Sequence, residues 1–560
     1  MNRKSGQQIS EQDALFQTAA ALHQSGHIAK AIECYRQLLG QSPNNPQILY
    51  LLGTAECQNG SYLAGEKLLM RSLEIAPDNV SAHMNRGTAL QELKRFEDAL
   101  QSFDRVIRLK PDFAEAYSNK GKVLQKLERR EEALQSYDRV IRLKPDSAEA
   151  HIDRGNLLQD LKRFDEALPS YDRTIQLKAD FAEAYNNKGN VLRELDRLEE
   201  ALNCFDRAIQ LKPDFAEAYY NRGNTLRDLK RMDDASRSYD LAIELKPGLA
   251  YAYWNKAILK ILTGDYEEGW KLFEWGWETK QRGTRRDFKQ PLWLGTESIA
   301  NKTILIHAEQ GLGDVIQFCR YLPMIEKLGA KIIFEIPASL MTLISTLKCN
   351  CEIAERGKSL PDFDVHCPIM SLPHAFKTTL QTIPSEIPYL YPDKAKQAVW
   401  KQKLGIKRHL RVGLAWSGSP AHLNDRNRSI ELRSFKALFD MPVEFHSLQK
   451  EYKEEDKRFL NELAQVQNHQ KDFADFSDTA ALIAEMDLVI SVDTSVAHLA
   501  GALDKPVWIV LPFNPDYRWM LDRADSPWYP TATLIRQTAS GEWDGIISDI
   551  RNRIATQFQV

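Results

Sequence analysis

Across residues 80–113 apolar side chains recur at three- and four-residue spacing, so VSAHMNRGTALQEL reads as one helix and FEDALQSFDRVIRL as the next. The same sequence of apolar and polar positions returns every 34 residues through the first half of the chain. Pro43, Pro77, Pro111, Pro145, Pro213 and Pro247 keep that period, with Ala179 in the remaining slot. Gly53, Gly87, Gly121, Gly155, Gly189 and Gly223 keep it too, as do Ala31, Ala99, Ala133, Ala167, Ala201 and Ala235. Small residues such as Gly87 and Ala99 let the two helices of a unit approach, Phe103 and Leu109 fill the seam, and Lys110-Pro111 ends the second helix. About eight units follow one another, from 12–45 to a worn last one at 250–283. A lone helix pair cannot bury its own apolar stripe, so the units are expected to stack. A coiled coil would need a seven-residue repeat without regular prolines, and that reading fails.

The pattern resembles tetratricopeptide repeats over residues 12–283. Within it Asn85, Asn119, Asn187, Asn221 and Asn255 share one repeat position, with Asp153 in the same slot. Aligned amides on a concave groove would offer donor and acceptor together to an extended peptide backbone. The resemblance implies as much, since a similar ladder grips polypeptides in O-linked N-acetylglucosamine transferase. The alternative is that asparagine at this position fixes local helix geometry. Arg105, Arg139, Arg173 and Arg207, each preceded by Asp, read as solvated faces with local pairing. The last unit concentrates Tyr251, Tyr253, Trp254, Tyr266, Trp270, Phe273, Trp275 and Trp277, so the end of the solenoid is expected to be covered. No Gly/Ser- or Pro-rich spacer follows, and residues 284–302 are expected to form a short connector in a rigid junction.

From residue 303 the period changes. TILIHA is a short apolar run, GLGD a turn, VIQFCRYLPMIEKLG a helix and KIIFEIP the next strand, which is the start of an open α/β sheet. A second such series runs through RVGLAWSG, VEFHSLQ, DLVISVD, TSVAHLAGALD and KPVWIVLPF. The expected fold is therefore an all-α solenoid followed by two Rossmann-like halves, 303–393 and 411–560, joined by a helical linker at 394–410. Strand carboxyl ends should line a cleft between the halves.

A chain of 560 residues is too long for one core, in keeping with this division. The balance of 74 basic and 77 acidic residues argues against a general nucleic-acid grip. The start, MNRKSGQQISEQDALF, lacks the apolar run of a secretory signal, and no stretch reaches 18 uninterrupted apolar residues. A cytoplasmic chain with no integral membrane segment is expected. Seven scattered cysteines fit a reduced compartment, Cys349 and Cys351 alone being close. No H-E-x-x-H or dense ligand group calls for a metal or cofactor.

Three loops concentrate chemistry. Gly311, Gly313 and Asp314 follow a strand and precede a helix; the glycines permit a tight turn with backbone close to a ligand, here the expected donor, and Asp314 either caps the helix or serves as a general base. The third glycine of a dinucleotide fingerprint is absent. At Asp493, Thr494 and Ser495 a strand runs into a helix whose first N–H groups and hydroxyls suit a diphosphate, with His498 one turn on, either a phosphate donor or a satisfied core residue. Ser417 and Gly418 end another strand, and the following loop holds His422, Asp425, Arg426 and Arg428, either neutralising a leaving diphosphate or simply solvated.

HAEQGLGDVIQFCRYLP, VGLAWSGSP and ISVDTSVAHLAGALDKPVWIVLP resemble the ADP-heptose:lipopolysaccharide heptosyltransferases, glycosyltransferase family 9, over about residues 303–556. The resemblance implies a GT-B fold and an inverting, metal-independent transfer of a hexosyl or heptosyl group from a nucleotide sugar. It implies Asp314 as catalytic base, and donor binding by Asp493, Thr494, Ser495, His498, Ser417 and Gly418. Ser495 stands where the family often has glycine, and Arg426 or Arg428 is the nearest match to its basic residue. The repeats favour a protein acceptor and the catalytic relatives a lipid-linked glycan; a peptide-binding scaffold with an inactive transferase fold is the third reading.

Overall fold

The computed structural model describes residues 11–420, 425–539 and 541–559. His422 lies outside them. The described residues fall into two compact units, divided between Thr225 and Leu226.

The first unit is all helix, from Glu11–Gln24 through Leu198–Leu211 into Ala216–Asp228. Each repeat is a hairpin such as Val80–Glu92 with Phe96–Leu109, and Phe103 in its seam has no exposed surface. Gly87 is required there, because a Cβ would stand 2.6 Å from the Phe103 ring. The first helices end on a residue in the left-handed region, and Gly26 and Gly60 hold that place in the first two repeats. In the next four it is Lys94, Glu128, Lys162 and Asp196, with φ of 57–58°. Arg95 N–H reaches back to the Leu90 carbonyl (2.9 Å) and Lys94 N–H to Gln91 (3.0 Å), so the closure of the turn outweighs a backbone cost of about 1–2 kcal/mol.

The arginines that follow Asp pair further afield than local pairing implies. Arg105 bonds Asp78 and Arg173 bonds Asp146, each at 2.7 Å, while Asp104, Asp138, Asp172 and Asp206 turn to Lys120, Arg154, Lys188 and Arg222 of the next repeat. These partly solvated pairs contribute little stability individually but join successive repeats.

The second unit opens with helices Met232–Leu245, Ala250–Leu262 and Tyr266–Phe273 and continues into two parallel sheets, an arrangement consistent with a GT-B-like fold. The first sheet holds β1 (Thr303–His307), β2 (Lys331–Ile336), β3 (Cys351–Glu355) and β4 (Val365–Pro368) in the order β3-β2-β1-β4. The second holds β5 (Leu410–Ala415), β6 (Val443–Ser447), β7 (Val466–Asn468), β8 (Leu488–Val492), β9 (Val507–Leu511) and β10 (Ala532–Arg536), in the order β10-β9-β8-β5-β6-β7. The helix expected over 315–329 is broken into Leu312–Phe318, a tight turn, and Leu322–Lys327. Pro323 has no N–H for the Cys319 carbonyl, which takes the Leu322 N–H in a tighter turn, and the Arg320 guanidinium takes the Gln317 carbonyl at 2.8 Å.

The aromatic last repeat is covered as expected. Tyr266 stacks on Trp528 with centroids 6.1 Å apart, and Trp270 meets Phe318 and Tyr517 edge-on at 6.0 and 5.9 Å. The connector lies along the free edge of β4: His366 N–H donates to Pro291, and Trp293 N–H returns to His366 at 2.8 Å.

Candidate active site

Three turns leave the carboxyl ends of β1, β8 and β5, the edge at which open α/β sheets bind ligands. The Gly311–Asp314 turn of one half lies directly against the Thr494–His498 turn of the other. A Cβ on Gly313 would stand 2.9 Å from His498 Cδ2 and 3.5 Å from Ser495 Cα. Gly313→Ala is therefore expected to lower unfolding free energy by roughly 1–3 kcal/mol through overpacking. Urea denaturation checks this, and an unchanged midpoint would place the two turns apart in solution.

Asp314 uses both carboxylate oxygens. Oδ2 accepts the Gly311 N–H at 2.8 Å, so the aspartate does cap its helix, and Oδ1 pairs with Arg518. Arg518 also donates to Asp516 Oδ1 (2.8 Å) and to Gln317 Oε1 (2.7 Å), and its side chain is 10 % exposed. Burial opposes the charge of this guanidinium, but Asp516, Asp314 and Asp493 hold it protonated.

On the facing turn Thr494 is the N-cap, its hydroxyl accepting the Val496 N–H at 3.3 Å. Ser495 opens the helix Ser495–Ala502 and stays half-exposed. His498 is buried, with Nδ1 2.9 Å from the Tyr529 hydroxyl, its ring stacked on Trp519 at 5.3 Å, and Nε2 3.9 Å from Asp493. Burial, with Arg518, Arg320 and Arg428 nearby, keeps this imidazole neutral.

Arg428 closes the third side, donating to the Asp493 carbonyl at 2.8 Å. Its guanidinium occupies the space that a side chain on Gly418 would need. Ser417 is buried, exchanging hydrogen bonds with the Gln449 amide. Arg426 is exposed and lines an open cavity of about 480 Å³ with Asp425, Glu431 and Lys453, so of the two arginines Arg428 is the one held at the turn.

Burial, and then Asp516, push the Asp493 carboxyl up to about 6 against the opposing Arg518. Its folded form thus binds more protons than the unfolded chain between about pH 4 and 6, and stability falls as pH rises through that window. Asp493→Asn is expected to flatten this slope, by about 2–3 kcal/mol in stability between those limits. Parallel pH profiles for variant and wild type would refute the assignment.

Arg518, Asp516, Trp519 and Tyr529 were not legible as site residues. They lie in NPDYRWML and SPWYP, between β9 and β10, where no strand or helix period marks them.

Family models of the tetratricopeptide repeat match residues 59–114, 84–148, 118–180 and 216–249, and a TPR repeat model matches 19–60 and 189–229. The model of glycosyltransferase family 9 (heptosyltransferase) matches residues 474–511, which carry β8, the hydroxyl turn and β9. The chain joins tetratricopeptide repeats to a glycosyltransferase-family-9-like domain. Protein FlbA of Caulobacter vibrioides is 26% identical over 332 residues, 54% of each chain, so this chain spans about half the length of that curated relative. Among solved structures, YrrB, described as a TPR protein with an unusual peptide-binding site, is 26% identical over 34% of this chain and 97% of its own, with a TM-score of 0.31. MamA is 23% identical over 31% of this chain and 94% of its own, with a TM-score of 0.29. Among the described residues no helix is long and apolar enough to cross a membrane.

Proposed function

We propose that the α/β region transfers a sugar from a nucleoside diphosphate donor by a single, inverting displacement without a metal. On this reading the array occupies 12–283, the connector 284–302, and the two halves 303–393 and 411–560 flank the linker 394–410. Asp314 takes the proton of the acceptor hydroxyl as the anomeric bond to that oxygen forms. The departing diphosphate is held by the Thr494–Ser495 turn, Arg428 and Arg518. An arriving diphosphate competes with Asp314 for Arg518, so donor binding uncovers the base. The observation that carries this reading is the approach of Gly313 to Ser495 and His498, which sets the aspartate of one half against the hydroxyl turn of the other.

The heptosyltransferase description of the matched segment favours a heptosyl donor and a glycan acceptor. A protein acceptor would use the repeats. Three amides of the ladder already spend one N–H on a neighbouring inner helix: Asn85 on Thr54, Asn187 on Asn156 and Asn221 on Asn186, each at 2.9 Å. Each retains a second N–H for a peptide, while the Asn187 oxygen already accepts from Asn186 Nδ2 at 3.2 Å. Asn119 and Asp153 complete the proposed groove within the first unit; burial raises the Asp153 carboxyl above its ordinary range.

Mass spectrometry of reactions pairing ADP-heptose and other nucleotide sugars with glycan and peptide acceptors tests the proposal. An acceptor gaining a glycosyl mass as free nucleoside diphosphate appears is the expected result. His498→Ala is expected to weaken nucleoside diphosphate binding, read by calorimetry, because it removes the ring against which Gly313 and Asp493 are set; unaltered titration curves would take His498 out of the site.

A non-catalytic peptide-binding scaffold is favoured by one specific observation: both oxygens of Asp314 and the Nδ1 of His498 already have protein partners. Saturable peptide binding with no nucleotide binding would decide for it.

A further inference from the structure

We propose that Arg282, at the end of the last repeat, is a positioning residue for Asp314, acting through Glu309 and the turn between them. This rests on the transferase reading for its consequence, though the contacts stand without it. The Arg282 side chain has no exposed surface and lies over the rings of Trp277 (4.3 Å) and Phe273 (5.0 Å). Its fork reaches three separate segments. Nη1 donates to Glu274 Oε1 at 2.8 Å within the repeat, and Nη2 donates to Ser371 Oγ (2.9 Å), just after β4, and to Glu309 Oε1, just after β1. Ser371 Oγ in turn donates to Glu274 Oε1 at 2.8 Å, closing the ring of contacts.

Glu309 stands two residues before Gly311, with its side chain 4 % exposed. A second tie runs beside the first: Gln310 Nε2 donates to the Gln281 carbonyl at 2.7 Å. Two consecutive residues at the end of the repeat thus hold the two consecutive residues that lead into the glycine turn. Close approach is built in, since a Cβ on Gly276 would stand 2.7 Å from Arg282 Cγ. A buried ion pair of this kind adds little net stability over a well-packed apolar contact, whereas a rigid guanidinium fork with three acceptors defines direction. Burial pushes Glu309 up to about 7 against Arg282, so removal of the guanidinium leaves a carboxyl that protonates, and such a variant is expected to fold.

Hydrogen exchange read by mass spectrometry on the full chain tests the hold on the turn without any substrate. Arg282→Gln and Glu309→Gln are expected to speed exchange of amides 310–315 about tenfold or more, with 304–307 and 496–502 unchanged. No change at 310–315, or a rise of the same size in β1, overturns the proposal. With a donor and acceptor in hand, Arg282→Gln is expected to lower kcat about 100-fold with donor KM within about twofold, and Arg282→Lys, whose ammonium still reaches Glu309, to regain part of it. Equal effects on kcat and KM, or no gain from lysine, would reduce Arg282 to a structural part. If no transfer is found with any donor, the transferase reading fails by itself, and the exchange result still decides whether Arg282 holds the turn.

Discussion

Arg518→Met is expected to lower unfolding free energy by about 3–5 kcal/mol near neutral pH, the usual consequence of breaking a buried ion pair from one side. The guanidinium is the shared partner of Asp314 and Asp516 and opposes the raised pKa of Asp493. Without it these carboxylates face one another in a site where Asp493 is already hard to ionise. The deficit should shrink as pH falls toward about 5, because the variant's carboxyls take up protons and the repulsion disappears. Urea midpoints at the two pH values measure it. A loss that is small, or independent of pH, would mean that Arg518 does not organise the site. Combining Arg518→Met with Asp314→Asn should recover part of the lost stability, since one of the stranded charges is removed with its partner.

Asp314→Asn is expected to slow transfer by about 10²–10⁴-fold, the range for loss of a positioned general base. Asparagine keeps an oxygen for the Gly311 N–H, bonded at 2.8 Å in the native turn, so the cap and the backbone path survive. What disappears is the proton acceptor and the charge that holds Arg518. Donor affinity should therefore stay within a few-fold of wild type, or improve as Arg518 is released to the diphosphate. Nucleotide calorimetry beside a turnover assay separates the two effects. Parallel loss of affinity and rate would make Asp314 a structural cap.

The strands read from sequence were those flanked by neighbours on both sides. β1, β2, β5, β6, β8 and β9 are buried runs such as LVISV and VWIVL, and each is an inner strand of its sheet. β3, β4, β7 and β10 are the four edge strands and were missed. An edge needs less apolar surface, so CEIAE alternates weakly and VQN is too short to show a period. The broken helix after Gly313 escaped for a different reason. Its apolar spacing is unbroken through Pro323, and only the missing proline N–H and the Arg320 side chain interrupt the hydrogen-bond ladder.

The glycine and hydroxyl turns were legible because each joins a strand to a helix, and such junctions demand small or capping residues at set places. Their partners were not. Arg518 lies 204 residues from Asp314, in an irregular segment, and Arg282 lies 27 residues before Glu309, at the end of the worn last repeat. Arg426 and Arg428 were equal candidates until folding directed Arg428 to the Asp493 carbonyl and left Arg426 exposed.

Local periodicity by itself determined the stacked helical hairpins, the two inner-strand series and the positions of the three turns, because backbone geometry repeats on a scale of a few residues. Which charges meet at those turns was decided only by the tertiary structure. A guanidinium becomes a partner by coming within about 3 Å of a carboxylate, and chain separation carries no record of that distance.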